Sequence, residues 1–292
     1  MKGRSRVHGA ATIVNAIATG LGAAFGIDLW TQAEVELKDD PKNLEVSIIG
    51  NPEEDTCLAK ECFGVVLESL GVSNRFGAMI RTESNIPIAC GLKSSSAAAN
   101  AVVLATLSAL EKADLEPVEI VRLGVTAARR AGVTVTGAFD DACASYFGGI
   151  ISTDNSRLEI VKSFSFERQY PILIHVPPRK SYTKDADVKR ARILYPQIRL
   201  AFHEANQGRY WEAMVLNGLL YSLALGYDTS IALDALASGA ISSGLSGTGP
   251  AVVAVTVEEN IDKIRESWEK YEGRILEAAT NEKTARIMVQ SE

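Results

Sequence analysis

The sequence predicts an α+β protein of two domains, and three observations carry that class. At 292 residues the chain is about two average domains long. Its 47% hydrophobic and 23% charged residues are ordinary globular values, which exclude a disordered chain, a collagen and a stapled mini-protein. Strand-like and helix-like segments interleave through both halves, with too few regular β-α units for a barrel. A shift towards Asp, Asn and Ser at 153–157 places the boundary, giving domains over 1–153 and 154–292.

Lys2, Arg4 and Arg6 precede a small-residue stretch, 7–27, that has the outline of an export signal. His8, Asn15 and four glycines interrupt it, so no apolar h-region forms. The most apolar run elsewhere, 97–110, is too short to span a bilayer and contains Asn100. A cytoplasmic location is expected. Alternation predicts strands at 44–49 and 76–82, with a helix over 55–70 between them that Gly71 closes. After Pro87 comes a Gly/Ser turn and a helix to about 112, apolar nearly all round and therefore buried. Pro117 opens a helix to about 131. A β-branched run (133–136), a loop carrying Asp140 and Asp141, a short helix (142–147) and a strand after Gly148-Gly149 follow. The second half reads as a strand at 170–176 stopped by Pro177-Pro178, then helices at about 185–206, 210–225 and 229–238. A glycine-rich turn (244–249), a strand (251–257), a helix (261–271) and one or two terminal strands complete it.

Net charge is −6 and the pI about 5.3, which argues against a general nucleic-acid or membrane-surface binder. Four cysteines without a CxxC pair, and three histidines, argue against a zinc site or a disulfide framework. His8, His175 and His203 are read as structural, and Trp30, Trp211 and Trp268 as packing residues.

Three segments can carry chemistry. In Pro87-Ile88-Ala89-Cys90-Gly91-Leu92-Lys93-Ser94-Ser95-Ser96-Ala97, Gly91 allows a tight turn and a close backbone approach to a ligand, and the serines open a long helix. The unpaired amides and positive dipole end of that helix suit a phosphate. Lys93 stands where a cation is unfavourable, a conflict that an anion would relieve. The segment is not a Walker A loop, because Leu92 separates Gly91 from Lys93. In Ser246-Gly247-Thr248-Gly249-Pro250, two glycines around a hydroxyl make a loop whose amides can face an anion. Around Gly137, Asp140 and Asp141 place two mutually repelling carboxylates side by side.

Together these motifs resemble the GHMP kinase superfamily. Pro87, Gly91, Leu92, Ser94 and Ser95 match its Pro-x-x-x-Gly-Leu-x-Ser-Ser-Ala motif, with Ser96 where Ala is usual. Asp141, Ser145, Gly148 and Gly149 match Asp-x-x-x-Ser-x-x-Gly-Gly, and Ser246, Gly247, Gly249 and Pro250 match Ser-Gly-Ser-Gly-Pro. Within the superfamily the stretches GLKSSSAAANA, TGAFDDACASYFGG and SGLSGTGPAVVA are similar to the archaeal shikimate kinases, and Lys93 suits that branch. The resemblance implies an N-terminal domain like the second domain of ribosomal protein S5 and a ferredoxin-like C-terminal domain. The implied reaction is transfer from ATP to shikimate, giving shikimate 3-phosphate within chorismate and aromatic amino-acid synthesis. Homoserine kinase, another small-alcohol kinase, or an inactive ligand-sensing relative are the alternatives.

The implied roles follow. Residues 87–97 cradle ATP, with Ser94 or Ser95 offering a hydroxyl to Mg²⁺ and Lys93 a charge near the transferred group. Asp141, or alternatively Asp140, accepts the substrate hydroxyl's proton. Gly247, Thr248 and Gly249 face the substrate, and Arg192, in a segment similar to the Ala-Arg-x-x-Leu-Pro of homoserine kinases, meets its carboxylate. Arg179, Lys180, Tyr182 and Lys184 are candidates for a lid. Arg130 stands where mevalonate-kinase-like members carry a metal-binding Glu, which leaves Asp140 as a substitute ligand. A homo-oligomer is left open.

Overall fold

The computed structural model describes residues 1–134, 136–179, 181 and 187–288. The chain opens with a long antiparallel hairpin, β1 (Lys2–Val14) and β2 (Leu21–Lys38). The small-residue stretch that mimics an export signal is therefore the middle of this hairpin. Its lack of alternation has a cause: residues 22–27 of β2 are buried on both faces. Beyond Leu29 the strand alternates between buried and half-buried, as one with a single covered face should.

The length of β2 lets it pair with two strands on the same side. Thr31–Lys38 pairs with β4 (Gly77–Ser84), and Leu21–Phe25 pairs with β5 (Ile150–Asp154). Parallel β3 (Leu44–Ile48) extends the sheet beyond β4, and β6 (Glu159–Phe164) extends it beyond β5. The short β11 (Arg286–Ile287) returns to pair with β1. The 153–157 segment is thus the turn of a β5–β6 hairpin, and the first sheet continues past it to Phe164.

Four helices accompany this sheet: α1 (Cys57–Ser69), α2 (Ser94–Ala109), α3 (Pro117–Arg130) and α4 (Phe139–Phe147). As its composition requires, α2 is buried nearly all round, packed against β1, β2 and the other three helices. Its one interior amide, Asn100, donates to the Ala142 carbonyl of α4 at 2.9 Å. Helix α4 begins three residues earlier than expected, so both aspartates lie in its first turn and not in a loop.

The second sheet is antiparallel and holds β7 (Pro171–Val176), β8 (Ser242–Leu245), β9 (Val252–Val255) and β10 (Arg274–Ala279) in the order β10-β7-β9-β8. Helices α5 (Val188–Arg192), α6 (Tyr195–Asn206), α7 (Tyr210–Leu225) and α8 (Ser230–Ala237) join β7 to β8, and α9 (Ile261–Trp268) joins β9 to β10. This is the split β-α-β order of a ferredoxin-like domain, enlarged in its first crossover. The single helix expected over 185–206 is two, because Pro196 opens a new one. The four cysteines carry free thiols. Among the described residues no helix is long and apolar enough to cross a membrane.

Candidate active site

A cavity of about 350 Å³ opens between the N-terminus of α2, the first turn of α4, the β1–β2 turn and the loop after β8. It brings together Ile88, Ala89, Gly91, Lys93, Ser94, Ser95 and Ser96 with Asp140, Asp141, Gly247 and Thr248. The other residues of the 87–97 segment turn away. Leu92 and Ala97 are core residues, and Pro87 and Cys90 line a separate cleft against Pro177, Pro178 and Arg274.

The first turn of α2 leaves its leading amides unpaired beside the cavity. Its first intrahelical bond runs from the Ala97 amide to the Lys93 carbonyl at 2.9 Å, which leaves the amides of Ser94, Ser95 and Ser96 without helical acceptors. No side chain caps them at the Lys93 position, and all three residues line the cavity. Lys93 itself is left-handed, with φ 63° and ψ 30°, which costs about 1–2 kcal/mol for a residue other than glycine. The conformation coincides with a buried ion pair: Lys93 Nζ lies 3.0 Å from Asp141 Oδ1, with 7% and 18% of the two side chains exposed. The ammonium sits off the hydrogen-bonding axis of that oxygen, so the pair is a charge contact.

Asp140 stands behind Asp141. It is 3% exposed, accepts from Asn155 Nδ2 at 2.8 Å, and lies so close to Gly22 of β2 that a methyl group there would collide with Oδ2. Burial, reinforced by the neighbouring Asp141 charge, pushes its carboxyl up to about 7; Lys93 and the Asn155 hydrogen bond oppose the rise. Burial raises the Cys143 thiol and the Tyr221 phenol, and the Asp140 charge adds to the rise in both.

The two glycine loops meet directly. Ser246 Oγ donates to the Gly91 carbonyl at 2.7 Å and accepts from the Thr12 amide at 3.2 Å. A side chain at Gly91 (φ 81°) would strike the Ser246 carbonyl, so this glycine lets the two loop backbones approach each other beside the cavity. The Gly247 amide is taken by Thr12 Oγ1 at 2.8 Å and the Gly249 amide by the Ser246 carbonyl at 2.9 Å. Those two amides are therefore engaged internally and do not face an anion. Gly249 packs against the Tyr227 ring, away from the cavity.

Other expected residues lie elsewhere. Arg192 is exposed at the end of α5 and does not line the cavity. Arg130 points away from it, paired with Glu68 of α1 at 2.9 Å. Arg179 stacks over Tyr227 at 4.7 Å, while Lys180, Tyr182 and Lys184 lie outside the described residues. Residues that sequence reasoning passed over also serve the site. Asn15 Nδ2 donates to the Gly247 carbonyl at 2.8 Å, and its amide is received by Asn217 Oδ1 of α7 at 3.0 Å. Tyr221 donates to the Asn15 carbonyl at 3.1 Å, so α7 holds the β1–β2 turn. The available signal was polar residues (Asn15, Asn217) within otherwise apolar runs.

Residues 58–149 match the family model of the GHMP kinases N terminal domain. Over 286 residues the chain is 48% identical to the shikimate kinase of Methanosarcina acetivorans, covering 97% of this chain and 96% of that one. It is 44% identical to the shikimate kinase of Methanothermobacter thermautotrophicus, with 97% of each chain covered. Among solved structures, Methanococcus jannaschii mevalonate kinase superposes with a TM-score of 0.77 over 95% of this chain and 98% of that one, at 16% identity, which is a likeness of fold. The chain belongs to the GHMP kinases and, within them, to the archaeal shikimate kinase family.

Proposed function

We propose that the chain transfers the γ-phosphoryl group of ATP to the 3-hydroxyl of shikimate, releasing ADP and shikimate 3-phosphate. The observation that carries the kinase reading is the Lys93–Asp141 pair beside the three free amides of α2. The choice of acceptor follows the full-length relatives, which are named shikimate kinases.

Phosphoryl transfer asks a protein for position and charge more than for covalent chemistry. The amides of Ser94–Ser96 receive phosphate oxygens. Asp141, at the cavity wall, orients the attacking hydroxyl and takes its proton as the new oxygen–phosphorus bond forms and the bond to the leaving ADP oxygen breaks. Lys93, released from Asp141 as that carboxylate is protonated, compensates charge on the transferring group. Asp140, only 3% exposed and bound by Asn155, stands behind Asp141 and is not the first to meet substrate. The residues that would hold Mg²⁺ are Ser94 and Ser95, whose hydroxyl-bearing side chains stand at the cavity wall; Asp141 Oδ1 is already met by the Lys93 ammonium. A cation bound by those hydroxyls would supply charge neutralisation to the phosphates.

A coupled ADP-release assay with Mg-ATP and a panel of shikimate, homoserine and mevalonate tests the reading. Turnover is expected with shikimate alone; a chain inert towards shikimate overturns it.

A further inference from the structure

We infer that Asn155 is a positioning residue for phosphoryl transfer, capping the first turn of α4 from the β5–β6 turn and so setting where Asp141 stands against Lys93. The inference rests on the reading of Asp141 as the proton acceptor.

Helix α4 lacks a start of its own. Its N-cap is Ala138, which has no side-chain acceptor and is left-handed at φ 48°, directly after Gly137 at φ 91°. The first amides of a helix need acceptors from outside it. Asn155 Oδ1 supplies one, accepting from the Asp140 amide at 3.1 Å, the bond that a Ser or Asp N-cap ordinarily makes. The same side chain turns its Nδ2 to Asp140 Oδ1 at 2.8 Å and reaches Thr136 Oγ1 at 3.3 Å. Thr153 Oγ1 donates to Asn155 Oδ1 at 2.6 Å and steadies it. Chemistry forces the orientation of the amide: a main-chain N–H only donates and a carboxylate accepts, so Oδ1 must face the first and Nδ2 the second. The Asn155 main chain is tied as well, its amide donating to the Gly20 carbonyl at 2.8 Å. One residue therefore joins the β1–β2 turn, the 136–138 loop and the first turn of α4.

Asn155 is 1% exposed and is absent from the cavity wall, so it touches no reactant. Its effect passes through Asp140 to the next residue, Asp141. Among side chains of this size only Asn offers an acceptor and a donor together; Asp keeps the acceptor and loses the donor.

Asn155→Ala, the near-isosteric Asn155→Asp and, in parallel, Asp141→Asn are compared in steady-state assays, with folding followed by circular dichroism. Displacing a reacting group without removing it lowers kcat on the order of 10–100-fold in both Asn155 variants, while KM for ATP and for shikimate stays within about twofold. If Asn155→Ala does not fold, Asn155→Asp decides. A folded Asn155→Asp enzyme with wild-type kcat, or one whose loss lies in KM, overturns the inference. Wild-type kcat in Asp141→Asn overturns the reading beneath it instead. An inactive Asp141→Asn beside a normal Asn155→Asp removes this inference alone.

Discussion

On the cavity side of the first turn of α4, Asp141 keeps 18% of its side chain exposed and faces the Lys93 ammonium. On the interior side, one residue earlier, Asp140 is sealed against Gly22 and bound by Asn155. The residue type is the same and the backbone differs by one helical step. Yet one carboxylate is set beside a cation at a surface that reactants can reach, and the other is driven by burial towards its neutral form. Environment, not identity, separates the two carboxylates, which is how paired carboxylates elsewhere come to take distinct roles.

The sharpest test of that division is Asp141→Asn. It should lower kcat by about 10²–10⁴ in the ADP-release assay, and by more than Asp140→Asn does. An equal or larger loss at Asp140 would reverse the assignment. Lys93→Gly comes next. Glycine accepts the left-handed backbone without strain but leaves Asp141 without its cation, so the variant, its folding followed by circular dichroism, should lose kcat on the order of 10²–10³. A variant with full activity would mean that the strained lysine serves packing alone.

The third effect is smaller and concerns stability. A carboxyl raised to about 7 in the folded state, against an ordinary value near 4 when unfolded, holds its proton longer on the folded side. Its contribution is complete below about pH 4 and is lost as pH rises through about 7, after which it is level. Urea unfolding from pH 4 to 8 should therefore show less of this downward slope in Asp140→Asn than in the wild type. Identical slopes would show that Asp140 is ionised in the fold throughout.

Much of the architecture was legible because its signals are local. The apolar spacing of α1, the unbroken apolar surface of α2, Pro117 at the start of α3 and the β-branched strands β7 and β9 each follow from short-range pattern. The β1–β2 hairpin was not, and its glycines explain why. Gly22 makes room for Asp140, and Gly26 lies under Gly148 and the Asn281 carbonyl, so the strand is thinned where other segments press on it. That need arises only between segments far apart in the chain. The 153–157 stretch misled in the same way: its Asp-Asn-Ser composition is that of a linker, but Asn155 is buried and fully engaged.

The sequence by itself determined which residues are chemically able to act: a lysine at a helix start, three serines, two adjacent acids and a second glycine loop, in an order that identifies the family. These follow from side-chain chemistry and from the backbone within a few residues. Only the tertiary structure decided which acid meets Lys93, that Gly91 serves the contact between the two loops, and that the cap of α4 comes from another hairpin. Burial and hydrogen-bond partnership depend on segments brought together from across the chain, and no local pattern encodes them.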